Sequence, residues 1–113
     1  MIIPQTEWLP PKEFPDLRQH EEIAIDLETR DPELKSKGSG AITGVGEVVG
    51  IAVAVEGWKG YFPIAHEQGP NMERKKVLEW FKDVCESPAV KIFHNAMYDV
   101  CWIRNLGIKI NGL

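Results

Sequence analysis

Two acidic side chains stand at the end of a short apolar run near the start of the chain. Residues 23–25 are Ile, Ala and Ile, and they lead directly into Asp26, with Glu28 two residues further on. Because side chains alternate along a strand, Asp26 and Glu28 point to one face, roughly 7 Å apart, and Leu27 points to the other. Partly desolvated carboxylates repel each other and raise each other's pKa unless a cation compensates them. The pair therefore indicates either a site for divalent cations or a strand that has left the core, with both side chains solvated.

A third acid, Asp99, lies inside a helical pattern near the other end of the chain. Apolar residues occupy nearly the whole circumference of this helix: Ala96, Met97, Tyr98, Val100, Cys101, Trp102, Ile103 and Leu106. This pattern predicts a mostly buried helix, in which a carboxylate must be paired, hydrogen-bonded or bound to a metal. Asn95 lies four residues earlier and hence on the same face. The alternatives for Asp99 are a metal site, an ion pair with Arg104 or Lys109, and a solvent-exposed position.

The three carboxylates converge if the strands at residues 23–28 and 90–93 lie side by side in a mixed sheet. Asn95 and Asp99, at the head of the helix after the second strand, then lie beside the end of the first. Three carboxylates suit Mg²⁺ or Mn²⁺ better than zinc, which prefers nitrogen and sulfur ligands. Two such ions about 4 Å apart would activate water and stabilise the leaving oxygen in phosphodiester cleavage.

The remaining elements can be predicted from turn residues and periodicity. Residues 1–20 form a proline-punctuated arm, and the glycine-rich residues 31–47 favour a loop. Runs of apolar residues at 48–55 and 58–64 flank a Glu-Gly turn and predict an antiparallel hairpin.

Two helices and the start of another element follow. Asn71 can cap a helix that Pro88 ends, and the helix that begins at Asn95 closes at Gly107. Residues 108–113 begin to alternate again, as at the start of a further element. The chain is therefore predicted to have an α/β fold.

Composition and charge exclude several classes of protein. The 113 residues support one domain at most. The formal charge of −4 argues against a non-specific DNA coat or a membrane-surface binder, but not against carboxylates that hold divalent cations. Cys85 and Cys101 are too few and too far apart for a disulfide framework or a zinc site, and buried reduced thiols are expected. Without a signal peptide or an apolar run long enough to cross a bilayer, a cytoplasmic protein is expected.

Three segments, in order, resemble the motifs of a nuclease family. Residues 23–29 resemble the Asp-x-Glu-Thr first motif of the DEDD, or DnaQ-like, 3′–5′ exonucleases, which have an RNase H-like fold. Residues 94–99 resemble the second motif in the Asn-x-x-Tyr-Asp form of family A DNA polymerases. Residues 61–66 resemble the Tyr-x-Pro-x-x-His segment of the polymerase I subgroup, and residues 107–112 its linker before the next strand. The resemblance covers residues 21–113 and implies a mixed sheet in which hairpin strands join a parallel strand, flanked by helices.

The resemblance also implies roles for individual residues. Asp26 and Glu28 would bind the metal that activates the attacking water, and Asp26 with Asp99 would hold the second metal, Mg²⁺ or Mn²⁺ in each case. Asn95 would help to place the 3′-terminal nucleotide. The other residues implied in substrate binding are Leu27 and Thr29. The implied reaction removes 5′-mononucleotides from a single-stranded or frayed 3′ end of DNA, as in proofreading during replication.

The chain departs from the family pattern after Asp99. A third motif, Tyr-x-x-x-Asp or His-x-x-x-x-Asp, normally follows and supplies a fourth metal-binding carboxylate, but this sequence contains none before Leu113. We therefore expect an arm at residues 1–20 and a partial exonuclease domain at 21–113, incomplete at its C-terminus and weak or inactive alone. Its partner would be the remainder of a bacterial or phage exonuclease or polymerase chain. The alternative is a non-catalytic remnant or split-polymerase piece that binds single-stranded DNA or a partner polypeptide.

Overall fold

A mixed sheet of four strands forms the centre of the fold. The computed structural model describes Pro11 and residues 13–113. The strands are β1 (Glu22–Arg30), β2 (Glu47–Val55), β3 (Trp58–Pro63) and β4 (Val90–Phe93), and their order in the sheet is β3-β2-β1-β4. β1 pairs antiparallel with β2 and parallel with β4, and β2 pairs antiparallel with β3. The predicted arrangement, a hairpin joined to a parallel strand, is confirmed, and it is compatible with an RNase H-like fold.

Helices flank this sheet: α1 (Leu34–Lys37), α2 (Gly40–Thr43), α3 (Arg74–Glu86) and α4 (Ala96–Asn105). α3 and α4 agree with the predicted helices. The structureless loop expected after β1 instead contains the two single-turn helices α1 and α2. The Ser39 side chain accepts a hydrogen bond from the Ala41 N–H at the start of α2, which satisfies one of the free donors of that turn.

The predicted cap of α3 was wrong. α3 starts at Arg74 with Glu73 at the N-cap position and no side-chain cap. Asn71 instead bonds to the backbone of His66: its Oδ1 accepts from His66 N at 2.8 Å and its Nδ2 donates to His66 O at 3.0 Å. In this position the Asn71 amide uses both its oxygen and its nitrogen in hydrogen bonds, whereas as a helix cap it would use its oxygen alone.

The core lies where the apolar face of the sheet meets the helices. Alternation along β1 buries Ile23 and Ile25 and leaves Asp26 and Glu28 on the opposite face. The core cluster also contains Ile51, Val53, Phe62, Val77, Phe81, Val84, Cys85, Trp102, Ile103 and Ile108. Burial of these side chains is the main favourable term in folding.

Helix α4 is less buried than its composition suggests. Only one side faces the protein, where Asp99, Val100, Trp102 and Ile103 are buried, and Met97 is 86% exposed. The expectation of two buried thiols is accordingly wrong for Cys101, which is exposed, and confirmed for Cys85. α4 ends at Asn105, and Gly107 follows with a φ of 81°, which lets the chain turn away as predicted.

The residues after Gly107 are fixed without regular secondary structure. Ile108 is buried, and the Asn111 N–H donates to the carbonyl of Cys85 at 2.9 Å. The buried ammonium of Lys91 donates to the carbonyls of Ser87, Ala89 and Asn111 at 2.5, 2.8 and 3.0 Å. The Lys91 N–H also donates to Gly112 O at 2.7 Å, on the open edge of β4. The further element expected at 108–113 is therefore an ordered, irregular segment.

Part of the predicted arm packs against the fold. Leu17 is buried, and Trp80 Nε1 donates to the carbonyl of Pro15 at 2.7 Å. Residues 1–10 and 12 lie outside the described part of the chain. No helix in the described part is long and apolar enough to cross a membrane.

Candidate active site

The end of β4 leaves room for Asp99 beside β1. The pairing of β1 with β4 stops at Ile25 and Phe93, whereas β1 continues to Arg30. α4 begins three residues after Phe93, and its first turn brings Asp99 next to this uncovered part of β1. The backbone of Leu27 is near enough to the Asp99 carboxylate to lower its pKa. Asp99 thus lies beside the part of β1 that β4 does not cover.

Burial dominates the electrostatics of Asp99, which is 3% exposed. Burial raises the pKa of Asp99 to about 6, and the negative charge of Asp26 raises this pKa as well, against smaller opposing effects of Leu27 and His94. Its Oδ2 atom is buried and has no hydrogen-bond partner among the described residues. The expected ion-pair alternative does not occur, since neither Arg104 nor Lys109 pairs with Asp99.

Glu28 lies on the same strand face but is held towards β3. Tyr61 donates its hydroxyl proton to Glu28 Oε2 at 2.5 Å. His66 Nε2 lies 3.7 Å from the same carboxylate oxygen and 2.5 Å from the Tyr61 hydroxyl. Burial, followed by the neighbouring Glu28, raises the pKa of Tyr61 above its ordinary value, so Tyr61 remains a phenol that can donate.

A separate set of hydrogen bonds joins the end of β1 to α4 and α2. The Tyr98 hydroxyl donates to Asp31 Oδ2 at 2.7 Å and lies 2.8 Å from Thr29 Oγ1. Asp31 also accepts from the Gly40 N–H at 3.0 Å. A β-bulge between Glu28 and Thr29 changes the register at this point. The role of Asp31 was not predicted from the sequence, although an acid directly before a glycine-rich loop is suited to accept backbone N–H groups.

The residues implied in substrate binding lie around these carboxylates. Asn95 directly precedes α4, and its exposed side chain makes no cap hydrogen bond. Its carbonyl accepts from the Asp99 N–H at 3.0 Å. Leu27 is half-buried and packs against the core. The Asn95 amide is thus available to a ligand, whereas Leu27 also has a packing role.

The carboxylates of Asp26, Glu28 and Asp99 meet some of the requirements of a cation site. Among the described residues, no group of three or more His, Cys, Asp and Glu side chains is arranged to hold a metal ion. Asp26 and Asp99 nevertheless repel each other, and the buried Oδ2 of Asp99 has no described partner. A divalent cation coordinated by oxygen would satisfy that atom and relieve the repulsion. The oxygen donors of Asp26 and Asp99 are of the type that Mg²⁺ or Mn²⁺ takes, and Glu28 follows two residues further along β1.

Comparison with known proteins places this geometry in context. No protein-family model matches the chain. The chain is similar to a DNA-directed DNA polymerase of Pseudomonas phage M6, with 37% identity over an aligned length of 114. The alignment covers 92% of the chain and 16% of that relative. The similarity extends over almost the whole chain and supports a DNA polymerase-related domain. The chain spans about a sixth of the length of that relative.

Proposed function

From the relation to a phage DNA-directed DNA polymerase, we propose that the chain is part of a proofreading 3′–5′ exonuclease. The proposed reaction hydrolyses the 3′-terminal phosphodiester of single-stranded or frayed DNA and releases 5′-mononucleotides. The observation that supports it best is the buried Asp99 carboxylate beside Asp26, with one oxygen unpartnered among the described residues. A carboxylate in that state is costly for folding and is commonly retained for a site.

The residues proposed to hold Mg²⁺ or Mn²⁺ are Asp26, Glu28 and Asp99. When bound, such ions lower the pKa of water and neutralise charge on a phosphodiester. β1 holds Asp26 and Glu28 rigidly, because it lies between β2 and β4 in the sheet. The Leu27 backbone lies beside the Asp99 carboxylate and favours its charged form.

The proposed substrate contacts lie at the head of α4 and the end of β1. The exposed Asn95 amide offers a donor and an acceptor to the terminal nucleotide. Thr29 lies next to the carboxylates, although its hydroxyl already bonds to Tyr98. The proposed chemistry uses a fourth carboxylate, which we assign to the remainder of a longer exonuclease or polymerase chain. The chain alone is then weakly active or inactive.

A second candidate is a non-catalytic module that binds single-stranded DNA or a partner polypeptide. The observation in its favour is that, among the described residues, no group of three or more ligand side chains is arranged to hold a metal ion. This candidate predicts binding of DNA that does not depend on Mg²⁺ or Mn²⁺.

The two candidates differ in turnover and in metal binding. We would incubate the 113-residue chain with a 5′-labelled single strand and Mn²⁺, and measure Mn²⁺ affinity by calorimetry. The exonuclease proposal predicts Mn²⁺ binding that Asp26→Ala and Asp99→Ala abolish. Any shortening from the 3′ end should be slow and should be lost in both variants. Asp83→Asn, on the exposed face of α3, serves as the control and should change neither. DNA binding without Mn²⁺ binding by the wild-type chain would contradict the exonuclease and favour the second candidate.

A further inference from the structure

The hydroxyl of Tyr61 reaches Glu28 across an intervening strand. The register pairs Glu28 with Gly50 on β2 and Ala52 on β2 with Tyr61 on β3. β1 and β3 are two strand spacings apart, roughly 9–10 Å. A direct hydrogen bond over that distance requires a long side chain from β3 that lies flat over β2. The 2.5 Å contact between the Tyr61 hydroxyl and Glu28 Oε2 is such a bond.

Gly50 provides the space for this contact. A Cβ atom at position 50 would lie 1.8 Å from the Tyr61 hydroxyl oxygen and 2.3 Å from its Cζ. The φ of Gly50 is not positive, so the backbone conformation there is open to any residue. The glycine is therefore required by the position of the Tyr61 ring and not by the backbone, which gives a role to one of the glycines that precede the hairpin turn.

His66 completes a directional chain of hydrogen bonds. The single hydroxyl proton of Tyr61 goes to Glu28, so the Tyr61 oxygen accepts from His66 Nε2, 2.5 Å away. This assigns the proton to Nε2 of His66. Asn71 holds His66 in place through both of its backbone groups. The direction of the chain is thus from His66 through Tyr61 to the carboxylate of Glu28.

We propose that Tyr61 is a positioning residue that fixes the Glu28 carboxylate for metal binding, with His66 and Gly50 as its supports. The side chain of Glu28 is 57% exposed and would otherwise sample several rotamers. A short hydrogen bond to a charged acceptor selects one of them. Tyr61 and His66 contact Oε2, which leaves Oε1 as the oxygen that Glu28 would offer to a metal ion. The proposal rests on the exonuclease function proposed above.

The test measures Mn²⁺ affinity in the whole chain, without reference to turnover. Tyr61→Phe removes only the hydroxyl and should weaken Mn²⁺ binding about tenfold, the lower end for residues that orient metal ligands. Gly50→Ala keeps the hydroxyl but displaces it, and should weaken binding in the same direction. Circular dichroism and thermal unfolding show whether each variant remains folded.

A double-mutant cycle separates positioning from a general structural effect. In a Glu28→Gln background, Tyr61→Phe should cause no further loss of Mn²⁺ affinity, because the group that Tyr61 positions has been removed. An equal loss in both backgrounds would overturn the proposal. A Tyr61→Phe chain that binds Mn²⁺ as tightly as the wild type would also overturn the proposal. If Asp26→Ala still abolishes Mn²⁺ binding in that case, the proposed exonuclease function stands. A wild-type chain that does not bind Mn²⁺ would overturn both.

Discussion

Replacement of Asp99 by Asn should stabilise the fold at neutral pH. Burial beside Asp26 raises the pKa of Asp99 from 3.8 to about 6. Between these values the folded protein holds a proton on Asp99 that the unfolded chain has lost. The Asp99 contribution to the free energy of unfolding is therefore most favourable below pH 3.8, falls as the pH rises to about 6, and is constant above that.

The size of the effect follows from the change in pKa, which corresponds to about 3 kcal/mol. Because Asp99 is almost fully buried, solvent screening reduces this figure little. Asn keeps the size of Asp without its charge, so it removes the pH-dependent cost. The polar group that replaces Oδ2 would still lack a hydrogen-bond partner, however, because Oδ2 has none among the described residues. We expect a stabilisation of about 1–2 kcal/mol at pH 7.5 and no gain at pH 4.

The assay is urea unfolding followed by tryptophan fluorescence, at several pH values between 4 and 7.5 and without divalent cations. The quantity to compare is the difference in free energy of unfolding between Asp99→Asn and wild type at each pH. For Asp83→Asn, the exposed control on α3, the difference in free energy of unfolding from wild type should be small and the same at every pH. Other groups that titrate in this pH range affect all three proteins alike, so their contributions cancel in the differences.

One result would refute this reasoning. If the difference between Asp99→Asn and wild type is the same at pH 4 and pH 7.5, Asp99 does not change its protonation on folding and is not buried beside Asp26. The metal proposal adds a second comparison. Mn²⁺ at pH 7.5 should stabilise the wild-type chain and leave Asp99→Asn nearly unchanged, because only the native state of the wild type binds the ion.

Three further substitutions test the contacts around the site and the core. Tyr98→Phe removes the hydrogen bonds to Thr29 and Asp31, so we expect a loss of about 1–2 kcal/mol by urea unfolding and faster amide exchange in residues 31–46. Lys91→Met leaves three carbonyls, two of them buried, without this donor and should cost about 1–3 kcal/mol, measured as a lower urea midpoint. Phe81→Ala opens a cavity at a fully buried position of α3 and should cost about 3–5 kcal/mol, measured by thermal unfolding.

Local patterns in the sequence predict most of the fold. The strands predicted at 23–28 and 90–93, the hairpin and the two long helices follow from alternation, helical periodicity and turn glycines, which act over a few residues. The same patterns overestimated the burial of α4. An apolar composition all round a helix does not say which side meets the sheet, and Met97 lies on the side that does not.

The contacts that define the site depend on pairings that no local pattern contains. Tyr61 and Glu28 are 33 residues apart, and their contact follows only from the register of three strands and the missing side chain of Gly50. Tyr98 and Asp31 are 67 residues apart. The proximity of Asp26 and Asp99 was nevertheless predictable, because it required only that two strands be neighbours and that a helix begin where the second one ends.

The irregular segment 108–112 has a consequence for how the molecule opens. Segments without secondary structure usually exchange their amide protons early, because few hydrogen bonds hold them in place. Here the amides of Lys91 and Asn111 bond to Gly112 and Cys85, and Ile108 lies in the core. To detach this segment, the chain must expose the Lys91 ammonium and the end of α3 together. We therefore expect the segment to exchange together with the central sheet, and its removal to disturb that sheet.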